Sequence, residues 1–253
     1  MQKNYRKYGK APYRIVVVHG GPGGAGEVAP IAKELSQYGG SIEPFQTEKS
    51  VEGQVEELFQ TIQKESEQPV TLIGFSWGAW LSLLVAATYP SVVKKLILIG
   101  CPPLVQKDAA DIMQRRLSRL SKKEQKLLLE SWDKAKEKAP SKEDLNAFIT
   151  LFIKADGYSV EQPDELPYYN SEIFNTVWPQ AEEMRQKGVC ADTLEKIECP
   201  VVCIHGEVDP HPFESIQSSF SKHKVEVLKK CGHRPWLERQ AKEIFYVTLQ
   251  KEI

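Results

Sequence analysis

The stretch PVTLIGFSWGAW, residues 69–80, is an apolar run that ends on a serine set between two glycines and then resumes with apolar residues. From Pro69 to Phe75 the run has no polar–apolar alternation, which is the pattern of a strand buried on both faces in a parallel sheet. Ala79–Tyr89, small and apolar and stopped by Pro90, reads as a helix. Gly74-Phe75-Ser76-Trp77-Gly78 is therefore G-x-S-x-G in the setting its chemistry needs, between a buried strand and a helix. A serine on so sharp a turn has a strained backbone, and only glycines two residues to either side let the chain segments pass closely. The hydroxyl then projects at the C-terminal edge of the sheet. The plainer alternative is a glycine-rich turn with a solvent-facing serine.

Outward from this turn, strands and helices alternate. Strands are expected at residues 14–18, 42–47, 70–75, 96–99, 200–205 and 224–228. Helices are expected at 28–38, around 51–62, at 79–89 and at 235–252. After Pro102-Pro103 the composition changes. Residues 104–190 carry 14 Lys+Arg and 15 Asp+Glu and no strand-like run, with helix starts at Ser121-x-x-Glu124 and Ser141-x-x-Asp144. The expected architecture is an α/β core from 1–103 and 191–253, with a mostly parallel sheet of about six strands. A helical cap, 104–190, is inserted into it.

A serine nucleophile needs a base, and the base needs an acid to orient it. Of the five histidines, His233 lies in the turn between the last strand and the last helix, on the same sheet edge as Ser76. His211, in Asp209-Pro210-His211-Pro212, is the closer rival. His205 falls at a strand end, where it would pack, and His223 sits in a charged stretch. Asp209 is the natural third member, with Glu207 as its alternative.

The early loop VVVHGGPGGAGE, residues 16–27, allows two readings. His19-Gly20-Gly21 can present a backbone N–H to an oxyanion. Alternatively, Gly21, Gly23 and Gly26 spell the G-x-G-x-x-G of a dinucleotide loop, with Glu43 or Glu48 as the ribose acid. The dinucleotide reading leaves Ser76, Asp209 and His233 unexplained. A P-loop fails because Glu27 stands where lysine would follow Gly26.

Taken together, these motifs resemble the α/β-hydrolases. HGGPG followed by Ser-Trp-Gly is similar to the prolyl aminopeptidase branch in particular. The resemblance implies a Ser76–His233–Asp209 triad, with the Gly21 and Trp77 amides as the oxyanion hole. It also implies an N-terminal hairpin, which is missing or reduced here because only about 12 residues precede the first core strand. In that branch cap carboxylates hold the substrate's ammonium group, and Glu161, Asp164 and Glu165 are the candidates. The expected function is cleavage of a small ester, amide or short peptide without a cofactor or metal. A catalytically weak, ligand-binding relative is the alternative.

The charge of −1, with 33 basic and 34 acidic residues, points to neither nucleic acid nor an anionic membrane as partner. MQKNYRKYGKAPY is basic and lacks the apolar core of a signal peptide, and no apolar run is long enough to span a bilayer. Five cysteines without a C-x-x-C pair read as free thiols. A soluble, cytoplasmic protein is expected, and the oligomeric state stays open.

Overall fold

The computed structural model describes residues 4–137 and 139–253. Met1–Lys3, which begin the basic N-terminal stretch, lie outside the described residues, as does Lys138 within the expected cap.

The chain opens with β1 (Tyr5–Tyr8), β2 (Tyr13–Val18), a two-residue β3 (Gly24–Ala25), α1 (Ala29–Leu35), β4 (Gly40–Pro44) and α2 (Val51–Glu65). Then come β5 (Val70–Phe75), α3 (Trp77–Thr88) and β6 (Val93–Ile99). The segment between β6 and β8 holds α4 (Ile112–Ser118), α5 (Lys122–Ala135), α6 (Lys142–Asp156), β7 (Tyr168–Tyr169), α7 (Ser171–Gln186) and α8 (Val189–Leu194). The last elements are β8 (Val201–Gly206), α9 (Phe213–Ser219), β9 (Lys224–Leu228) and α10 (Lys242–Gln250).

One seven-stranded sheet runs in the order β1-β4-β2-β5-β6-β8-β9. It is parallel throughout except for β1, which lies antiparallel on β4. Successive residues of the central strands enter opposite cores. Val16, Val18, Leu72, Leu96 and Leu98 pack on one face, and Ile15, Val17, Ile73, Ile97 and Ile99 on the other. Both faces are buried, so these strands lack alternation. Each such side chain contributes roughly 1.5–3 kcal/mol of burial.

Four expectations need correction. The sheet has seven strands, one more than expected. The extra strand, Tyr-Arg-Lys-Tyr, is an edge whose Arg6 and Lys7 face solvent, as edge strands often do. The segment after β6 does contain a strand, for Tyr168–Tyr169 pairs with Gly24–Ala25 of the glycine loop. The single helix expected over 235–252 is broken into a 3₁₀ turn, Pro235–Leu237, and α10. Glu238 causes the break. Its buried carboxylate turns inward to accept the backbone N–H groups of Gly232 (2.8 Å), Tyr158 (2.7 Å) and Ser159 (2.8 Å). Finally, the strand expected at 42–47 begins and ends earlier, at Gly40–Pro44, and leaves Gln46 in a loop with a task described below.

The helix starts expected at Ser121 and Ser141 are capped as their sequences require. Ser121 and Glu124 form a reciprocal capping box, and the Ser141 hydroxyl accepts from the Asp144 N–H.

Candidate active site

Ser76 follows β5, Asp209 follows β8 and His233 follows β9, so the parallel sheet brings all three to its C-terminal edge. Ser76 has φ 53° and ψ −121°, a conformation that L-residues with side chains rarely adopt. The flanking glycines make the turn possible. A Cβ on Gly74 would stand 2.2 Å from the Gly78 carbonyl oxygen, and one on Gly78 would stand 2.4 Å from that of Val18. The Ser76 N–H donates to the Ile99 carbonyl across to β6 (3.0 Å). Trp77 is fully buried, and its indole N–H donates to Gln54 Oε1 (2.9 Å), which fixes the start of α3.

Asp209 is buried and accepts three hydrogen bonds. Oδ2 accepts from His233 Nδ1 (2.7 Å), and Oδ1 accepts from both the ring Nδ1 and the backbone N–H of His211 (2.9 Å each). Burial alone would raise its pKa. The facing His233, His211 and His205 outweigh that and hold the carboxyl well below its usual range. Because His233 Nδ1 donates to Asp209, Nε2 keeps its lone pair, the tautomer a general base requires. The His233 backbone N–H donates to the Asp156 carbonyl (2.9 Å), and its ring lies 4.8 Å from that of Phe75.

The other candidates fall elsewhere. His211 occupies the second oxygen of Asp209, and burial presses its pKa down to about 4. His205 is buried and donates through Nε2 to the His211 carbonyl (2.9 Å). Glu207 is exposed and accepts from the Lys230 N–H, away from His233.

The glycine loop is held by Gln46, which the sequence did not single out. Its side-chain oxygen accepts from Gly23 N–H (3.0 Å), its amide donates to the His19 carbonyl (2.9 Å), and its backbone N–H donates to His19 Nε2 (3.3 Å). Burial lowers the His19 pKa to about 4, which suits a neutral ring with an accepting Nε2 and an Nδ1–H donating to Gly20. The loop lies against the serine turn, since a Cβ on Gly20 would stand 3.1 Å from that of Ser76. Among the described residues, neither the Gly21 nor the Trp77 backbone N–H has a protein acceptor. Glu43, a candidate ribose acid, is instead sealed in β4 with one oxygen bonded by the Tyr8 hydroxyl (2.8 Å).

Ser76 and His233 open onto one cavity of about 290 Å³, which Gly21 also lines. Its walls are aromatic, with Trp132, Phe148, Phe152, Tyr169, Phe174 and Trp178 in near-continuous ring contact. Tyr158 and Tyr168 are exposed and take no part. Beside His233, Arg234 donates to Glu27 (3.0 Å) and Asp156 (2.9 Å), and Arg116 donates to the other oxygen of Asp156 (2.6 Å). Glu161, Asp164 and Glu165 do not reach the cavity. All three are exposed, and Glu161 lies 3.6 Å from Lys242. They sit in a turn outside the helices that wall it, so solvent takes their charge.

Residues 15–245 match the model of the alpha/beta hydrolase family. The chain belongs to this family. It is similar to a proline iminopeptidase of Heyndrickxia coagulans, 28% identical over 88% of this chain and 85% of that protein. It is also similar to monoacylglycerol lipase ABHD6 of Mus musculus, 22% identical over 84% of this chain and 64% of that one. Among solved structures, VinJ superposes with a TM-score of 0.65 at 20% identity, over 98% of this chain and 95% of that one. An N-acyl homoserine lactone degrading enzyme, Est816, gives 0.65 at 14% over 98% and 96%. These structures share the fold. With peptidase and lipase relatives in the same family, this alpha/beta hydrolase is a hydrolytic enzyme. Among the described residues no helix is long and apolar enough to cross a membrane.

Proposed function

We propose that this alpha/beta hydrolase cleaves a small ester or amide through an acyl-enzyme formed on Ser76. The observation that carries the reading is the 2.7 Å hydrogen bond from His233 Nδ1 to a buried Asp209, on the same cavity as a strained serine. Ser76 Oγ attacks the substrate carbonyl and its proton passes to His233 Nε2. The Gly21 and Trp77 N–H groups receive the negative oxygen of the tetrahedral intermediate. Collapse breaks the bond to the alcohol or amine, which leaves with the proton from His233. Water then gives a proton to His233 and attacks the acyl carbon, and His233 returns that proton to Ser76 Oγ as the acid leaves. Asp209 stays ionised throughout and stabilises the imidazolium. Every group the scheme uses belongs to the chain, so it calls for no cofactor.

Residues 104–190 act in this reading as a lid, because α5, α6, β7 and α7 supply the aromatic walls above Ser76. Cleavage of an N-terminal proline is the second reading, favoured by HGGPG and by the proline iminopeptidase relative. The cavity offers it little. Of the carboxylates that line it, Glu27 and Asp156 are both held by Arg234 and Glu182 lies 3.9 Å from Arg185, while the turn at residues 161–165 is turned to solvent. A panel of p-nitrophenyl esters beside proline and alanine arylamides tests both. We expect ester turnover that disappears in Ser76→Ala. Turnover of proline arylamide alone would replace the first reading with the second, and equal activity in Ser76→Ala would remove both.

A further inference from the structure

A third arginine lines the cavity with no anion hydrogen-bonded to it. Arg185, in the last turn of α7, has a side chain only 7% exposed and lines the cavity. Its Nε donates to Gln106 Oε1 (2.8 Å), and its guanidinium lies over the Trp80 ring, 5.6 Å from the centroid. Trp80 sits four residues after Ser76 on α3, one helical turn from the nucleophile. Half-exposed Glu182 makes a long ion pair with it at 3.9 Å, beyond hydrogen-bonding distance. Among the described residues, Nη1 and Nη2 have no hydrogen-bond acceptor, and neither is fully buried. Arg234 differs in donating to two carboxylates, and Arg116 in donating to one.

Burying a charge without a bonded partner is costly, and a free guanidinium fork matches a planar carboxylate. We propose that Arg185 is the binding site for a substrate carboxylate. The substrate class is then an ester or amide whose scissile carbonyl stands at Ser76 and whose other end carries a carboxylate, with an apolar spacer along the aromatic wall. The proposal rests on the serine-hydrolase reading for which end is cleaved. The carboxylate site itself rests on Arg185 alone.

The test is calorimetric binding to the full Ser76→Ala chain of monomethyl succinate, adipate and suberate, each against its dimethyl ester. At least one monomethyl ester should bind roughly tenfold to a hundredfold more tightly than its neutral partner, the range of a charge-assisted hydrogen bond. Adding Arg185→Gln should bring that ratio to within about twofold, and Arg185→Lys, which keeps the charge without the fork, should leave it intermediate. Equal affinities across all three pairs overturn the proposal, and this comparison needs no Arg185 variant to fold. A preference that survives Arg185→Gln overturns it too, as does tighter binding of prolinamide than of every hemi-ester. Fluorophosphonate labelling of the wild-type chain separates the two ideas. Labelling at Ser76 without carboxylate preference removes the Arg185 site and leaves the hydrolase. Carboxylate preference without labelling does the reverse.

Discussion

Asp209→Asn removes one charge and almost no volume, and the structure says which way the new amide must face. The Oδ1 position accepts from the His211 backbone N–H as well as from its ring (2.9 Å each). A backbone N–H cannot change tautomer, so the amide oxygen stays at that position. The NH₂ is then directed at His233 Nδ1, where the carboxylate oxygen stood at 2.7 Å. Two donors cannot face each other, so His233 moves its proton to Nε2 and can no longer take one from Ser76. Loss of the working tautomer in a serine triad costs about 10⁴-fold in kcat. The assay is turnover of p-nitrophenyl butyrate, with the circular dichroism melt confirming that the variant folds. Glu207→Gln serves as the control and should leave the rate unchanged, since that side chain is exposed and turned toward Lys230. A folded Asp209→Asn protein within tenfold of wild type would refute the assignment of Asp209.

Gly78→Ala should lower the urea midpoint by the equivalent of about 3 kcal/mol, because its Cβ meets the carbonyl oxygens of Val18 and His19 at 2.4 and 2.6 Å. Helix propensity alone predicts the opposite sign, so an unchanged or raised midpoint would count against the close approach. Gln46→Leu leaves the Gly23 N–H and the His19 carbonyl without their partner, and should cost about 2–4 kcal/mol and slow ester turnover. A variant with wild-type stability and rate would show that the loop holds itself. Stability should also fall with acid. His19 and His211 have pKa values lowered by burial to about 4, against 6.5 for free histidine, so unfolding takes up protons between those values. Each ring withdraws on the order of 3 kcal/mol as pH falls from about 6.5 to 4. A melting temperature that stays level from pH 7 to 4.5 would contradict the neutral assignment of both.

The serine turn and the core strands were legible because their signals are local. An apolar run without alternation, followed by glycines two residues either side of a serine, leaves few other foldings. The third dimension hid the rest. Tyr5–Tyr8 looks charged because an edge strand turns Arg6 and Lys7 to water. Gln46 holds Gly23 from 23 residues away, and no spacing rule reveals such a partner. The sequence offers His211 as a rival to His233 for the base, yet both bind the same carboxylate, one on each oxygen. The acids at 161–165 are candidates only through the resemblance to prolyl aminopeptidases; charge carries no direction, and the turn that holds them faces solvent. Glu238 ended a helix that its amphipathic pattern would have continued, because three backbone N–H groups needed an acceptor inside.

We propose Ser76 as the activated nucleophile of this alpha/beta hydrolase. Treating the protein with a fluorophosphonate and mapping the adduct by peptide mass spectrometry tests it most directly. One adduct is expected, on Ser76, formed rapidly by the wild-type chain and at least a thousandfold more slowly after His233→Ala, roughly what removing a triad member costs. No adduct on the folded protein, or equal labelling of the His233→Ala variant, would contradict it.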